Sequence, residues 1–380
     1  MATKRSPEWL EHRSNPDEPT AVPRQCDNGA VRDRRDSVTT DLSLPRVSVV
    51  VLAWKSEPFL RPAVRAALAS RGVNADVVLV DNGCTDGDVR ELSDLDGVTV
   101  VTPAMNLGFA GGCNAGVAAA TGEFIGLVNA DAIVAPTALA ELIAALQLPD
   151  VAIAGGSVRL SSAPELINSA GNPVHVLGLS WAGRMGEPEH RTVPEEVAVA
   201  SGACLVTTRT WWDALGGFDA EYFAYHEDAE LSLRTWRAGR RVLYVPTAVA
   251  VHRYEFSRNA SKMYLMERNR LVLIFTLWSP RALILLAPAL LALEVALLVM
   301  SIAQGWWREK LRGWVWIWRH RSHVRERRRE LAVERVVADG TWMARLTPVL
   351  EPNGTVGLPW GAAALSAIMS TYWSLVKRVI

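Results

Sequence analysis

Between residues 46 and 146, short runs of β-branched and aliphatic residues alternate with segments of helical pattern. The runs are apolar almost throughout, as expected of strands that are covered on both faces of a sheet. They are residues 47–53, 76–80, 98–102 and 124–128, and the helical segments are 58–70, 88–95, 108–120 and 136–146. This alternation predicts an α/β fold with a mostly parallel central sheet flanked by helices.

Two of the predicted strands end at an aspartate. Asp81 follows the strand at 76–80, and Asp131 follows the strand at 124–128. In sheets of this kind, ligands bind in the crevice beyond the carboxyl ends of the strands. We therefore expect Asp81 and Asp131 to point into one crevice.

The pattern is weaker from 152 to 206, where we expect shorter strands and loops. Clearer signals then follow, and they predict a strand at 201–207, helices at 209–214 and 227–238, and a strand at 241–245.

Two segments of the first half suit a ligand site. In VLVDNGCTDG (78–87), Asp81 can accept hydrogen bonds from a ligand, or the segment can be a plain turn in which Asp81 caps the next helix. In NLGFAGGCNAG (106–116), the glycines permit close approach of a ligand, and the helix N-terminus that follows suits a phosphate. This segment does not follow a strand as G-x-G-x-x-G, so the dinucleotide fingerprint of a nicotinamide dehydrogenase is missing.

Carboxylates also lie at two later positions. Asp131, in Asn129-Ala130-Asp131, can hold Mg²⁺ or Mn²⁺ together with a diphosphate, unless the segment is a plain turn. Glu227 and Asp228 open a predicted helix, where the dipole favours carboxylates, and they can be no more than an acidic first turn. Such a pair can also divide the work of positioning and deprotonating an acceptor. His252 follows the last predicted strand and is structural unless a metal partner is near.

Together these segments resemble the inverting family-two glycosyltransferases of the GT-A fold, and among them the bacterial rhamnosyl and galactofuranosyl transferases of envelope glycan assembly. The resemblance extends over about residues 46–251, with matching order and spacing. The segments that carry it are VSVVVLAWKSEPFL, VVLVDNGCTDG, NLGFAGGCNAG, ATGEFIGLVNADAIV, SGACLV, LGGFDAEYFAYHEDAELSLR and RVLYVPTAVAVH.

The resemblance implies a role for each site residue. Asp228 would be the general base, with Glu227 beside it. Asp131 would hold the divalent metal, and His252 would complete the metal and diphosphate site. The residues implied in nucleotide-sugar binding are Ala53, Trp54, Asp81, Asn82, Asn106, Gly108, Phe109, Gly112, Asn114 and Asn129, with Asp81 on the pyrimidine base.

The chain departs from the family pattern in three places. Asn129 stands where the metal motif usually begins with Asp, Cys84 replaces the usual Ser, and Glu230 stands where many members have Asp. Asn129 keeps open the alternative of a catalytically impaired membrane scaffold or partner subunit. A nucleotidyltransferase is disfavoured, because its Gly-rich basic loop would follow the first strand, which here leads into AWKSEPF.

Residues 282–303 form an apolar run in which Glu294 is the single charge. As a helix with a rise of about 1.5 Å per residue, the run is long enough to cross a hydrocarbon core of about 30 Å. Pro280, Pro288 and basic residues on both flanks argue against a simple span. We expect a hairpin, re-entrant or in-plane segment on the cytoplasmic face of the cell membrane, with Arg residues at anionic lipid and five Trp residues from 306 to 318 at the headgroups.

The predicted organisation is a disordered tail at 1–44, a GT-A domain at 45–270 and a helical membrane-associated region at 271–380. The 40 basic and 40 acidic residues cancel, so net charge gives no reason to expect a nucleic acid partner. The expected partners are a nucleotide-sugar donor, with dTDP-rhamnose or a UDP-sugar favoured, and a lipid-linked or glycan acceptor. The apolar stretch 360–376 predicts a second interfacial helix or an oligomer contact.

Overall fold

The computed structural model describes residues 44–85, 87–253, 260–350 and 362–380, so all but the last residue of the predicted tail lies outside it. A ten-stranded sheet runs in the order β3-β2-β1-β4-β9-β6-β10-β5, with β7 beside β6 and β8 beside β10. The strands are β1 (Arg46–Lys55), β2 (Asn74–Cys84), β3 (Val98–Val101), β4 (Phe124–Val128), β5 (Ala132–Val134), β6 (Val151–Leu160), β7 (Ala163–Ser169), β8 (Glu195–Glu196), β9 (Cys204–Thr208) and β10 (Arg241–His252).

Helices flank the sheet and follow it. They are α1 (Leu60–Leu68), α2 (Asp88–Leu92), α3 (Gly108–Ala119), α4 (Ala138–Leu146), α5 (Arg209–Leu215), α6 (Glu227–Arg237), α7 (Ala260–Leu277), α8 (Pro280–Ala303), α9 (Trp307–Arg319), α10 (Arg321–Glu334), α11 (Asp339–Trp342) and α12 (Ala362–Val376). Every element predicted between 46 and 146 is confirmed, with differences of a few residues at the ends.

Six of the ten strands point the same way, as predicted of a mostly parallel sheet, and the other four run antiparallel to their neighbours. Strands β3, β2, β1 and β4 pair in parallel, and β6 pairs in parallel with β10. Strand β9 lies antiparallel between β4 and β6, so the two parallel groups point the same way. Alternate residues of β1 enter two separate cores, with Val50 in one and Val49 and Val51 in the other. The sheet is therefore covered on both faces, which explains why its strands are apolar almost throughout.

The region after residue 150 differs from the expectation of short strands. Strand β6 has ten residues and lies inside the sheet. Its Gly155 and Gly156 weaken the strand signal in the sequence, but small residues are needed there. A Cβ on Gly155 would lie 2.8 Å from that of Ala200, and one on Gly156 would lie 3.0 Å from Sγ of Cys204. Close packing at this strand thus accounts for the weak pattern.

Strand β10 also extends beyond the predicted 241–245. Pro246 lacks an N–H for the ladder, and the register with β6 shifts between Val245 and Val249. The strand then resumes and ends at His252. His252 thus lies at the end of β10, where it pairs with Ala132 of β5.

The C-terminal helices pack on one another, and the predicted domain boundary at 270 falls inside α7. Within the part of the chain described, α8 is the one helix that is long and apolar enough to cross a membrane, and 11% of its apolar window is buried. Helix α12 packs on α8, where the Tyr372 hydroxyl donates to the carbonyl of Leu285. Ile368 and Leu375 of α12 stay exposed, so its role as interfacial helix or oligomer contact stays a prediction.

Candidate active site

The segment 129–131 links the end of β4 to β5 and connects two parts of the candidate site. The Asn129 amide donates to the carbonyl of Ala203, just before β9. Three residues later, Ala132 pairs with His252 at the end of β10. This link brings Asp131 to His252, although the two are far apart in the sequence.

His252 and Asp131 face each other at 3.0 Å between Nε2 and Oδ1. The other ring nitrogen, Nδ1, lies 2.8 Å from the amide oxygen of Asn168. A histidine whose second nitrogen is held in this way has the orientation of a metal ligand. Asn168 is a site residue that the sequence did not reveal.

The pair fits a divalent cation that shares its coordination with a substrate. Mg²⁺ is usually bound through one or two protein groups, with phosphate oxygens and water completing the shell. No cluster of three or more His, Cys, Asp or Glu side chains suited to a metal occurs in the described ranges. Asp131 and His252 would therefore be the protein's ligands, and a donor diphosphate would supply others.

Asp228 and Glu227 begin helix α6. Oδ2 of Asp228 accepts from the Gly202 amide at 3.1 Å, and Oδ1 accepts from the Ala229 amide at 2.8 Å. These two bonds favour the ionised carboxylate, while burial raises its pKa. The Glu227 side chain is buried, and its Oε2 has no hydrogen-bond partner in the part of the structure described.

Burial and the charge of Asp228 raise the pKa of Glu227 well above its usual range. Two adjacent buried carboxyls do not ionise together readily, so Glu227 keeps its proton and Asp228 carries the charge. The preceding His226 is also buried, and burial lowers its pKa to about 4, which keeps the ring neutral. The arrangement thus gives one carboxylate able to accept a proton, beside an uncharged acid.

A strained loop leads into this pair. Phe223, Tyr225 and His226 have φ angles of 61°, 72° and 71°, a region that side chains other than glycine rarely adopt. The rings of Phe223 and Tyr225 are exposed beside the site. Such strain persists only where surrounding contacts hold it.

Helix α7 supplies those contacts. The Asn269 side-chain amide donates to the carbonyls of Tyr222, Ala224 and Tyr225 at 2.6–2.9 Å. Arg268 donates to the carbonyls of Glu221 and Tyr222, both at 2.7 Å. Sequence reasoning missed these two residues, although four consecutive polar residues, 267–270, lie fully buried in a helix whose second half is apolar.

The asparagines predicted to bind the donor form hydrogen bonds that hold the nearby loops in place. The Asn82 amide donates to Oδ1 of Asn106 and to the carbonyl of Gly108, and its oxygen accepts from Leu107. The Asn114 side chain donates to the carbonyl of Phe218 and accepts from the amide of the same residue. These asparagines therefore position the loops of the site.

The glycines of α3 are required by close packing and not, as expected, by the approach of a ligand. A Cβ on Gly112 would overlap Cδ1 of Leu52, so this glycine faces the sheet and permits close helix packing rather than ligand approach. Gly108 has a φ of 70°, and a Cβ there would overlap the carbonyl oxygen of Phe223. Gly202 lies between the ring of Phe109 and Asp228, since a Cβ placed on it would contact both. These contacts bring the glycine-rich turn to the acidic pair.

A cavity of about 300 Å³ lies at the end of β2, and Asp81, Cys84, Arg90 and Ser93 are among its lining residues. Oδ1 of Asp81 accepts from the amides of Gly83 and Cys84, so Asp81 holds its own turn and does not cap the next helix, whose N-cap is Gly87. Ala53 pairs with Asp81 and is buried, so only its backbone can line the site. The neighbouring Trp54 is half exposed.

The mixed sheet, covered by helices on both faces, has the architecture of the GT-A fold. Residues 45–273 match the family model described as glycosyltransferase like family 2, and the chain belongs to that family. A solved structure of GalNAc-T7 with UDP, GalNAc and Mn²⁺ superposes with a TM-score of 0.54 at 18% identity. That match covers 63% of this chain and 49% of the other.

Two curated relatives show what the chain is similar to. The N-acetylglucosaminyl-diphospho-decaprenol L-rhamnosyltransferase of Mycobacterium tuberculosis is 28% identical over 230 residues, which are 54% of this chain and 75% of that protein. The uncharacterized protein y4gI of Sinorhizobium fredii is 29% identical over 229 residues, which are 56% of this chain. The chain spans only 25% of the length of y4gI.

Proposed function

We propose that this protein is an inverting glycosyltransferase that moves a sugar from a nucleotide-diphosphate donor to a hydroxyl of a lipid-linked or cell-envelope glycan. The observation that carries the proposal is the Asp228 carboxylate, fixed by two backbone amides beside the buried Glu227. A partly buried carboxylate that backbone amides hold in place is suited to accept a proton from an alcohol.

The acceptor hydroxyl transfers its proton to Asp228 as its oxygen attacks the anomeric carbon. The bond from that carbon to the diphosphate breaks on the opposite side, so the configuration inverts in one displacement. No covalent enzyme intermediate is needed. Glu227, which keeps its proton, can donate a hydrogen bond to the acceptor and help to orient it.

The donor is proposed to lie beyond the carboxyl ends of the strands, with its base in the cavity at Asp81. Asp131 and His252 would hold Mg²⁺ or Mn²⁺, which when bound would offset the charge of the departing diphosphate. The mycobacterial relative is named a rhamnosyltransferase, which supports a dTDP-rhamnose donor, and a UDP-sugar is the alternative.

The protein is further proposed to rest on the cytoplasmic face of the cell membrane. Helix α8 exposes apolar side chains along its length, including Ile284, Leu291, Val295 and Val299, which are 56–74% exposed. An apolar surface of this extent is typical of a membrane or protein contact. Membrane docking would suit an acceptor that is itself linked to a lipid.

A donor screen tests the proposed activity. The purified full chain is mixed with dTDP-rhamnose, UDP-sugars and GDP-sugars in the presence of Mg²⁺ or Mn²⁺, and its thermal unfolding is followed. A donor at about 100 times its dissociation constant stabilises the folded state by about 2.7 kcal/mol. We expect one nucleotide class to raise the melting temperature. If none does, and no sugar is transferred, the alternative of an impaired scaffold replaces this proposal.

A further inference from the structure

A cavity of about 560 Å³ lies between α7, α8, α9 and the start of α10. Its walls are apolar and include Leu271 and Phe275 of α7, Leu291 and Leu298 of α8, and Ile317 and Trp318 of α9. The volume falls in the range of about 300–1,000 Å³ that is typical of small-molecule sites. An apolar cavity of this size suits a hydrocarbon chain.

Two charged side chains also line this cavity, and one of them is already neutralised. Glu294 accepts from Lys310 at 2.8 Å and from the indole of Trp314 at 2.7 Å, and it also pairs with Arg270. Arg321 differs, because it is exposed and lies at the first residue of α10. The positive charge of Arg321 is therefore the one offered to an occupant.

Trp318 fixes the position of Arg321. The Arg321 guanidinium lies 5.3 Å from the centroid of the Trp318 ring and donates to the Trp318 carbonyl at 2.9 Å. A guanidinium held in this way keeps further N–H groups for an anion such as a phosphate. The cavity thus has an apolar interior, and the exposed Arg321 stands at its rim, where it can meet an anion.

The cavity opens onto the exposed apolar face of α8 and α9. Three of its lining residues, Leu291, Val295 and Trp318, are 67%, 56% and 68% exposed. Along α9 the exposed apolar residues continue at helical spacing with Trp307, Leu311 and Val315. The opening therefore belongs to a larger apolar surface.

The exposed charges near this surface favour a lipid over a second copy of the chain as its occupant. From 304 to 330 the exposed charged side chains are those of Arg308, Arg312, Arg319, Arg321, Arg325, Arg329, Glu326 and Glu330. A two-fold contact between copies through this face would bring arginines together, whereas an anionic membrane complements them.

We propose that this cavity binds one acyl chain of an anionic phospholipid of the bilayer, with Arg321 on its phosphate. The inference rests on the membrane location proposed above and adds to it a specific lipid site. Membrane docking alone needs only the exposed apolar face. A lipid site in addition predicts a fixed stoichiometry and a headgroup preference, which docking by itself does not.

Native mass spectrometry of the full chain tests this site after extraction from vesicles of equal phosphatidylcholine and phosphatidylglycerol. We expect one phosphatidylglycerol retained per chain. Leu298→Trp fills the cavity and is expected to abolish retention, whereas Ile302→Trp, on the exposed face of the same helix, keeps it. Arg321→Gln is expected to lower the preference for phosphatidylglycerol at least five-fold, and Arg325→Gln to leave it unchanged.

Vesicle flotation of the same variants separates the two proposals. The lipid site predicts that Leu298→Trp still floats with vesicles while retaining no lipid. Equal retention by wild type, Leu298→Trp and Arg321→Gln would overturn the lipid site, even if all three float. Wild type that does not float would overturn the membrane location, and sugar transfer measured in detergent tests the activity separately.

Discussion

Nε2 of His252 lies 3.0 Å from Oδ1 of Asp131, and Nδ1 of the same ring lies 2.8 Å from the amide oxygen of Asn168. When Nδ1 donates its proton to Asn168, Nε2 of the neutral ring presents a lone pair towards the carboxylate. Two lone-pair donors placed face to face are suited to share a cation. This relationship supports the proposed divalent site.

The first prediction concerns Asn168. Asn168→Ala removes the partner that orients His252, and the loss of such a partner typically lowers metal affinity about 10–100-fold. We expect this decrease in a Mn²⁺ titration in the presence of the nucleotide diphosphate, followed by electron paramagnetic resonance. Asn172→Ala, in the same part of the chain, is the control. Full transfer activity in excess chelator would contradict a metal at this pair.

The second prediction concerns the strained loop before the acidic pair. Asn269→Ala leaves the half-buried carbonyls of Ala224 and Tyr225 without this donor, while that of Tyr222 keeps Arg268, and the loss is expected to cost about 1–3 kcal/mol. It is also expected to lower kcat more than it changes KM for the donor, because the loop leads into Asp228. Ser301→Ala alters a buried hydroxyl of α8 that bonds the Leu298 carbonyl of its own helix, and it is expected to leave kcat unchanged. Equal kcat in both variants would remove the positioning role of Asn269.

The third prediction follows from the raised pKa of Glu227. A carboxyl whose pKa is higher in the folded than in the unfolded state favours folding below its unfolded pKa, and this contribution is lost as pH rises through the folded pKa. Wild type is therefore expected to lose stability from about pH 5 to about pH 9, while Glu227→Gln loses less. Urea unfolding across this range measures the difference. Identical pH profiles would mean that Glu227 is not held protonated.

The fourth prediction separates packing from ligand approach at Gly112. Gly112→Ala is expected to destabilise the fold by about 1 kcal/mol relative to the control below, because its Cβ overlaps Cδ1 of Leu52 and forces that side chain into another rotamer. Gly340→Ala is the control, since a Cβ there has its nearest neighbours at 3.7–3.9 Å. Chemical denaturation measures both. A variant at 112 as stable as wild type, but with weaker donor binding, would restore the ligand interpretation.

The sequence predicted the first half of the fold because its strands are apolar on both faces and its turns carry clear signals. The length of β6 was underestimated, because Gly155 and Gly156 weaken the strand pattern, and the close packing that requires them exists only in the folded sheet. At the site, the residue types at a strand end and at a helix N-terminus indicated Asp131 and Asp228. The supporting residues Asn168 and Asn269 lie on other elements, and only tertiary structure brings them into contact.

Sugar transfer by Asp228→Asn tests the central claim most directly. The amide keeps the size of the side chain but cannot take the acceptor proton, so kcat is expected to fall about 10²–10⁴-fold while the donor still binds. Asp213→Asn, an exposed aspartate on α5, is expected to transfer normally, and the product of wild type is expected to have inverted anomeric configuration. Full turnover by Asp228→Asn would contradict the account.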